Sequence, residues 1–155
     1  MSKTELGRKA PKLSLPSTSG ERFSLAEAQG SNLVVYFYPR DNTTGCTREA
    51  QDFRELHTAF RKANTIVVGI SPDSLESHHK FKGKFKLPFA LLSDEDKAAC
   101  ELFDVIREKS MYGRKFMGVE RSTFLIDAEG QLRREWRKVK VDGHAAEVLE
   151  AVKSL

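Results

Sequence analysis

The sequence predicts an α/β protein in which a central mixed sheet is flanked by helices. Two continuous apolar runs, 32–38 and 64–71, have the β-branched and aromatic composition of strands that are buried on both faces. The segment between them carries apolar residues three and four positions apart, which is typical of an amphipathic helix. A later segment, 119–136, has the pattern of two strands joined by a tight turn, so an antiparallel pair joins the parallel one.

Each element in the first half follows from a local pattern. An alternating apolar and polar stretch around Ser-Thr-Ser-Gly, 11–25, predicts two short strands and a turn. Pro39 ends the first long strand, and a helix is expected from about Thr44 to Ala63. The apolar stripe of this helix consists of Ala50, Phe53, Leu56, Phe60 and Ala63. Strand, helix and strand in this order form a right-handed parallel crossover.

The second half continues with shorter elements. The sequence predicts, in order, a helix over 71–85 capped by Ser71 or Asp73, a strand and a helix over 90–105 with the helix opened by Ser93 or Asp94, a loop or hairpin over 107–118, two strands over 119–136 with a turn at Ala128 to Gly130, and a helix over 142–155. Parallel strands first and an antiparallel pair later, with helices between them, indicate a thioredoxin-like arrangement. We expect residues 1–155 to form a single domain of this type.

Composition excludes several classes of protein. Hydrophobic residues make up 39% and charged residues 31% of the 155 residues, and no apolar run approaches the ~20 residues that span a bilayer. The N-terminal segment "MSKTELGRKAPKLSL" is charged and lacks the apolar core of a secretory signal. We therefore expect a cytoplasmic protein that has no membrane partner.

Charge and ligand spacing argue against nucleic acid and metal. The net charge is +4, but the 26 basic residues are scattered among 22 acidic ones, and the densest basic patch, 78–86, carries no motif that reads RNA or DNA. The four histidines show no ligand spacing beyond one adjacent pair, and the two cysteines form neither C-x-x-C nor a disulfide framework. We expect no metal, no haem and no other cofactor.

Cys46 is the candidate reactive residue. A thiol reacts as its thiolate, and a free cysteine has a pKa of roughly 8.5, so a nucleophilic cysteine needs positive potential nearby. Thr43 or Thr44 is a good N-cap, which places Cys46 in the first helical turn, where unpaired N–H groups and the helix dipole favour an anion. Gly45 permits close approach to the backbone. An unpaired cysteine is also often a small buried apolar residue, so position alone leaves both interpretations open.

The segment around Cys46 resembles the P-x-x-x-T-x-x-C motif of peroxiredoxins. Pro39, Thr43 and Cys46 stand at its three fixed positions. Further blocks resemble the bacterioferritin comigratory protein, or peroxiredoxin Q, subfamily in order and spacing: 10–20, 33–50, 67–74, 91–105 and 121–130. This resemblance covers nearly the whole chain. It implies a thioredoxin-like fold and a thiol-dependent peroxidase that reduces hydrogen peroxide and organic hydroperoxides.

The resemblance also implies roles for individual residues. Cys46 would be the peroxidatic cysteine, whose thiolate attacks the peroxide and becomes a sulfenic acid. The Thr43 hydroxyl would hold the peroxide, and Pro39 would shield the sulfur from bulk water. Arg121, from a distant strand, would stabilise the thiolate and the departing oxygen, a task that suits a permanently charged group with several donors in a rigid fork. Glu49, one turn after Cys46, could orient Arg121 or could simply face solvent.

The chain departs from the subfamily where a second cysteine is expected. Many members carry a resolving cysteine five residues after the first, where this chain has Gln51, and others place it in the following helix, which here contains none. Thr44 also replaces the proline that is common before the glycine. Cys100 lies among apolar residues, so we expect a buried structural thiol, with a resolving role as the alternative. An external thiol, from thioredoxin, glutaredoxin or a small molecule, is therefore expected to resolve the sulfenic acid in a monomeric enzyme.

A function from another class is also compatible with these residues. The chain could be a redox-regulated binding or holdase protein that has the fold and the sensing thiol but little peroxidase turnover. Peroxide consumption with dithiothreitol and with thioredoxin distinguishes the two functions. A thiol–disulfide oxidoreductase is disfavoured because Cys46 lacks the second cysteine of a C-x-x-C motif.

Overall fold

Nine strands, five α-helices and one 3-10 turn make up residues 5–155, the part of the chain that the computed structural model describes. The strands are β1 Ser14–Leu15, β2 Phe23–Ser24, β3 Asn32–Phe37, β4 Thr65–Ser71, β5 Ala90–Ser93, β6 Ile106–Met111, β7 Arg114–Val119, β8 Ser122–Ile126 and β9 Leu132–Trp136. The helices are α1 Thr44–Glu55, α2 His57–Lys62, α3 Leu75–Phe85, α4 Ala98–Leu102 and α5 His144–Lys153, and the 3-10 turn is Leu25–Ala28. Residues 1–4, at the start of the charged N-terminal segment and of the predicted domain, lie outside the described residues. None of the helices within residues 5–155 combines the length and the apolar character that crossing a membrane requires.

The central sheet has five strands in the order β5-β4-β3-β8-β9. β3 pairs in parallel with β4, and β4 in parallel with β5, whereas β8 is antiparallel to both β3 and β9. This mixed sheet with flanking helices confirms the predicted fold class. The hairpin expected over 107–118 forms as well, because β6 and β7 pair with each other in a two-stranded sheet outside the central one.

Alternate residues of β3 face two separate apolar clusters, as the period of a strand requires. Val34 and Tyr36 belong to the cluster that also contains Cys46 and the α1 residue Phe53. Their neighbours Leu33, Val35 and Phe37 belong to the opposite cluster, which contains Cys100 and Phe103. The sheet therefore separates the two cysteines of the chain.

Three sequence expectations about helices need correction. The single helix expected from Thr44 to Ala63 is two helices, because the chain leaves helical geometry at Leu56, where φ is −99° and ψ is 5°. Phe53 and Phe60 lie on either side of this bend, and both are fully buried. The bend keeps both aromatic rings in one core, with ring centroids 5.8 Å apart.

The other corrections concern helix starts. Ser74, and neither Ser71 nor Asp73, caps α3: its hydroxyl accepts a hydrogen bond from the Ser77 amide at 3.1 Å. The helix after β5 begins at Ala98, later than expected. Asp94 nevertheless acts on it, because its carboxylate accepts hydrogen bonds from the amides of Ala99 and Cys100 at 3.0 and 2.8 Å.

Gly69 is required by the packing of an aromatic ring between β3 and β4. It lies opposite Tyr36 in the β3–β4 register, and a Cβ added to it would stand 2.8 Å from Tyr36 Cζ. We expect Gly69→Ala to lower the free energy of unfolding by about 1–3 kcal/mol, because the buried ring must shift. Gly83→Ala is the matched control: nothing lies within 4 Å of its added Cβ, and alanine in the interior of α3 should raise stability by up to about 1 kcal/mol. Urea denaturation measures both, and equal stability of the Gly69 variant and the wild type would contradict this packing.

Candidate functional site

Cys46 lies where the sequence predicts, in the first turn of α1. Thr43 occupies the N-cap position with extended backbone, and Cys46 is 1% exposed. The Thr43 side chain does not cap the helix; its hydroxyl donates instead to the carbonyl of Arg40 at 2.9 Å. The N–H groups of the first turn therefore have no side-chain acceptor at this end of α1, and the Thr43 oxygen still has lone pairs with which to accept a hydrogen bond.

The Arg121 guanidinium bridges the cysteine and a buried carboxylate. Its Nη2 donates to Cys46 Sγ at 3.3 Å and its Nη1 to Glu49 Oε1 at 2.7 Å. Glu49 lies in α1 one turn after Cys46 and is 1% exposed, so it orients Arg121 and does not face solvent. A Cβ at Gly45 would stand 3.2 Å from Arg121 Nη2, which explains why the residue before the cysteine lacks a side chain.

Burial sets the electrostatics of this group. Loss of water around the Glu49 carboxylate raises its pKa to about 7, and the attraction of Arg121 only partly opposes this rise. Burial acts to lower the pKa of Arg121, but the negative charges of Glu49 and Cys46 outweigh it and raise that pKa. For Arg121 the attraction between the two groups outweighs burial, whereas for Glu49 burial outweighs the attraction. We follow burial for Glu49, because its Oε2 is buried and has no hydrogen-bond partner.

The raised pKa of Glu49 makes stability depend on pH. The pKa in the folded state, about 7, lies above the ordinary value of 4.5. The contribution of Glu49 to stability is therefore fully present below pH 4.5 and is lost as the pH rises through 7. Between these limits we expect the free energy of unfolding of the wild type to fall by about 3 kcal/mol relative to Glu49→Gln, which does not titrate. Urea denaturation of both proteins at several pH values measures the difference; parallel curves would show that Glu49 does not titrate in this range.

A buried polar network anchors the loop that leads into α1. Asp41, in this loop, is 6% exposed. Its Oδ1 accepts from the Tyr38 hydroxyl at 2.6 Å, and its Oδ2 accepts from the Ser77 hydroxyl at 2.8 Å and lies 2.7 Å from His78 Nδ1. The Asp41 amide donates to Asp73 Oδ2 at 2.7 Å. The loop is thus tied to the residue that follows β3, to α3 and to the segment before α3.

His78 completes the network with both ring nitrogens. Nε2 lies 2.9 Å from the carbonyl oxygen of Leu92, which can only accept, so Nε2 carries a proton. Nδ1 lies 2.7 Å from Asp41 Oδ2, within hydrogen-bond distance. Asp41, Asp73 and His78 form the one grouping of possible metal ligands found within residues 5–155, with ligand atoms within 4.8 Å of one another. The ring presents no free lone pair to an ion while these bonds persist.

The structure unites some of the predicted site residues and separates others. Cys46 and Arg121 are in contact, Thr43 lies at the start of the same helix, and Pro39 is half-buried at the end of the preceding strand. Cys100 is fully buried on the other side of the sheet. Burial first, and then a hydrogen bond to Asp94, raise the pKa of its thiol far above the ordinary range. In this fold the central sheet lies between Cys100 and Cys46.

Sequence analysis missed the anchoring network. The sequence places His78 in the basic patch 78–86, but its side chain is fully buried. Asp41 lies within the motif segment, yet no spacing rule connects it to a histidine 37 residues away. The N-cap residue Ser74 is a sequence signal for the start of α3, and this start determines the helix face on which His78 lies.

Comparison with known proteins finds relatives that match nearly the whole chain. Residues 6–135 match the AhpC/TSA family. The chain is 50% identical over 151 residues to peroxiredoxin Bcp of Bacillus subtilis, covering 97% of this chain and 96% of that protein. It is 41% identical over 153 residues to peroxiredoxin Bcp of Escherichia coli, covering 99% and 98%.

Solved structures show the same similarity. Peroxiredoxin Q of Xanthomonas campestris superposes with a TM-score of 0.87 at 49% identity, covering 92% of this chain and 90% of that one. A further structure, of the X. campestris bacterioferritin comigratory protein studied for alkyl peroxide reduction, has the same TM-score of 0.87 at 48% identity, with the same coverage of 92% and 90%.

Proposed function

We propose, from the premise that this chain belongs to the AhpC/TSA family and is a thiol-dependent peroxiredoxin of the Bcp type, that Cys46 reduces hydroperoxides and that an external thiol restores it. The observation that carries the proposal is the contact between Arg121 Nη2 and the buried Cys46 Sγ at the start of α1. The holdase alternative is not favoured, because the relatives across nearly the whole chain are peroxiredoxins.

In the first step the Cys46 thiolate attacks the terminal oxygen of a hydroperoxide. A bond forms between sulfur and this oxygen, the O–O bond breaks, and the leaving oxygen takes the electron pair and then a proton, giving water or an alcohol. Negative charge thus moves from the sulfur to the leaving oxygen. Arg121 is supported as the group that meets this charge, because its fork reaches the sulfur and is held by Glu49. The Thr43 oxygen can accept a hydrogen bond from the peroxide O–H, and Pro39 screens the sulfur from water.

Arg121→Lys tests the role of the guanidinium. A lysine keeps the charge but cannot bond Cys46 and Glu49 through two fixed nitrogens. We expect the second-order rate of Cys46 oxidation by hydrogen peroxide to fall about 100-fold. Stopped-flow fluorescence or competition with a second peroxidase measures this rate.

Arg48→Lys serves as its control, because Arg48 lies exposed on the same helix and pairs with Asp142 at the surface. We expect this variant to oxidise at the wild-type rate. A wild-type rate for Arg121→Lys would remove the guanidinium from the mechanism.

In the second step an external thiol must attack the sulfenic acid. The incoming thiolate forms a sulfur–sulfur bond with Cys46, and hydroxide leaves and is protonated to water. A second thiol then attacks the outer sulfur and releases Cys46 as the thiolate, so the reductant leaves as a disulfide. Support for an external source comes from the position of Cys100, which is buried across the central sheet from Cys46.

Intact-mass analysis tests this second step. After one equivalent of peroxide without thiol, we expect the wild type and Cys100→Ser to gain a single oxygen, and Cys46→Ser to gain none. Dithiothreitol-dependent turnover should be the same for the wild type and Cys100→Ser, because Cys100 takes no part. A product two mass units below the reduced chain would reveal an internal disulfide and contradict external resolution.

We further infer that the enzyme works as a monomer in the cytoplasm. The groups that contact Cys46 and orient Arg121 come from one chain, so this arrangement does not require a second copy of the protein. Both cysteines are free, and a cycle that consumes external thiol depends on a reducing compartment.

A further inference from the structure

The β6–β7 hairpin carries an unusual share of the exposed apolar surface. Four of the six large hydrophobic side chains that are exposed in residues 5–155 belong to it: Met111, Tyr112, Phe116 and Met117. The hairpin is not hydrogen-bonded to the central sheet, and the first four residues of β7, from Arg114 to Met117, are exposed. Clustered exposed apolar side chains on such an element indicate an interaction surface.

The two faces of the hairpin differ in charge. Paired residues share a face, and the pairs Arg107–Gly118, Lys109–Phe116 and Met111–Arg114 lie on one of them. We call this the basic face: it has three cations, two exposed apolar side chains and no acid. The other face carries Glu108, Met117 and Lys115, and there the charges pair at 3.5 Å.

The basic face lies beside the reactive cysteine. Its strand β7 ends at Val119, two residues before Arg121, and Val119 is buried in the apolar cluster on the far side of the sheet from Cys46. Val119 and Gly118 point to opposite faces of the strand, so the basic face is turned toward the Cys46 side. The Lys109 stem crosses Gly118, with its Cδ 3.2 Å from the position of an added Cβ. Burial, and next the charge of Arg121, lower the pKa of Lys109, and the charge of Cys46 acts on it as well.

We propose that the basic face of the hairpin is the docking surface for a protein thiol that reduces the Cys46 sulfenic acid, and that this partner has an acidic surface around its nucleophilic thiol. This inference rests on the proposed function, since it requires a thiol from outside the chain. Arg107 is compensated by Asp104 at 3.1 Å, so Lys109 and Arg114 supply the positive charge that selects an acidic partner. Met111 and Phe116 supply the apolar contact between these charges.

A second copy of this chain fits the basic face poorly. A twofold interface brings the same surface of each copy together. Lys109 and Arg114 would then face their own counterparts, and like charges across an interface are unfavourable. An acidic protein removes this repulsion and uses the same apolar side chains.

Charge reversal at adjacent positions tests the docking surface. Arg114→Glu alters the basic face, and Lys115→Glu makes the same change one residue later on the opposite face. For thioredoxin and glutaredoxin, each with its reducing system, we expect Arg114→Glu to lower kcat/KM about tenfold at low ionic strength and much less at high salt. Lys115→Glu should change it less than about twofold. Turnover with dithiothreitol should be equal in all three proteins.

Phe116→Ser and Met117→Ser repeat the comparison for the apolar contact, and only the former should weaken reduction by the protein thiol. Equal effects of Arg114→Glu and Lys115→Glu would overturn the proposal. So would turnover with small thiols alone, or dimerisation of the wild type at assay concentration that Arg114→Glu abolishes. Absence of turnover with every thiol would instead overturn the proposed function, and the docking surface with it.

Discussion

The site depends on one guanidinium that is shared between a thiol and a buried carboxylate. Arg121 can contact Cys46 only if Glu49 holds its other nitrogen, if Gly45 leaves room, and if β8 fixes the backbone beside it. Two of these conditions come from α1 and the third from β8, far along the chain. The buried Glu49 carboxylate has one unpaired oxygen, which is destabilising. Its other oxygen orients the Arg121 guanidinium beside the sulfur.

Hydrogen bonds to Asp41 also fix the loop before α1. Asp41 accepts hydrogen bonds from Tyr38 and Ser77 and lies 2.7 Å from His78 Nδ1. Tyr38, Asp41 and His78 are all buried, which protects these bonds from water. This network ties the loop that contains Pro39 and Thr43 to α3 and, through the Leu92 carbonyl, to β5. The positions proposed to bind peroxide are thus fixed by side chains outside the proposed site.

Sequence patterns predicted the sheet because its strands have strong local signals. β3 and β4 are apolar over nearly their whole length. The motif around Cys46 pointed to the candidate reactive residue, and the wider family resemblance pointed to Arg121. Features that depend on tertiary contact could not be found in this way. The bend at Leu56, the burial of His78 and the choice between an orienting and a solvent-facing Glu49 are decided by packing between segments far apart in sequence. The different character of the two hairpin faces required the strand register, which fixes which residues are neighbours.

Placing the two cysteines on opposite sides of the sheet affects how the cycle can close. Because Cys46 is 1% exposed in this conformation, the proposed cycle requires the start of α1 to open before a protein thiol can form a mixed disulfide with it. Peroxide reduction itself favours this opening. The thiolate is held by the charge of Arg121, whereas a neutral sulfenic acid is held much less strongly, so the contact that closes the pocket weakens once the sulfur is oxidised. The partner thiol of the proposed cycle then approaches Arg121 after the Cys46 sulfur has lost its negative charge. The cations of the β6–β7 hairpin face the same side of the sheet.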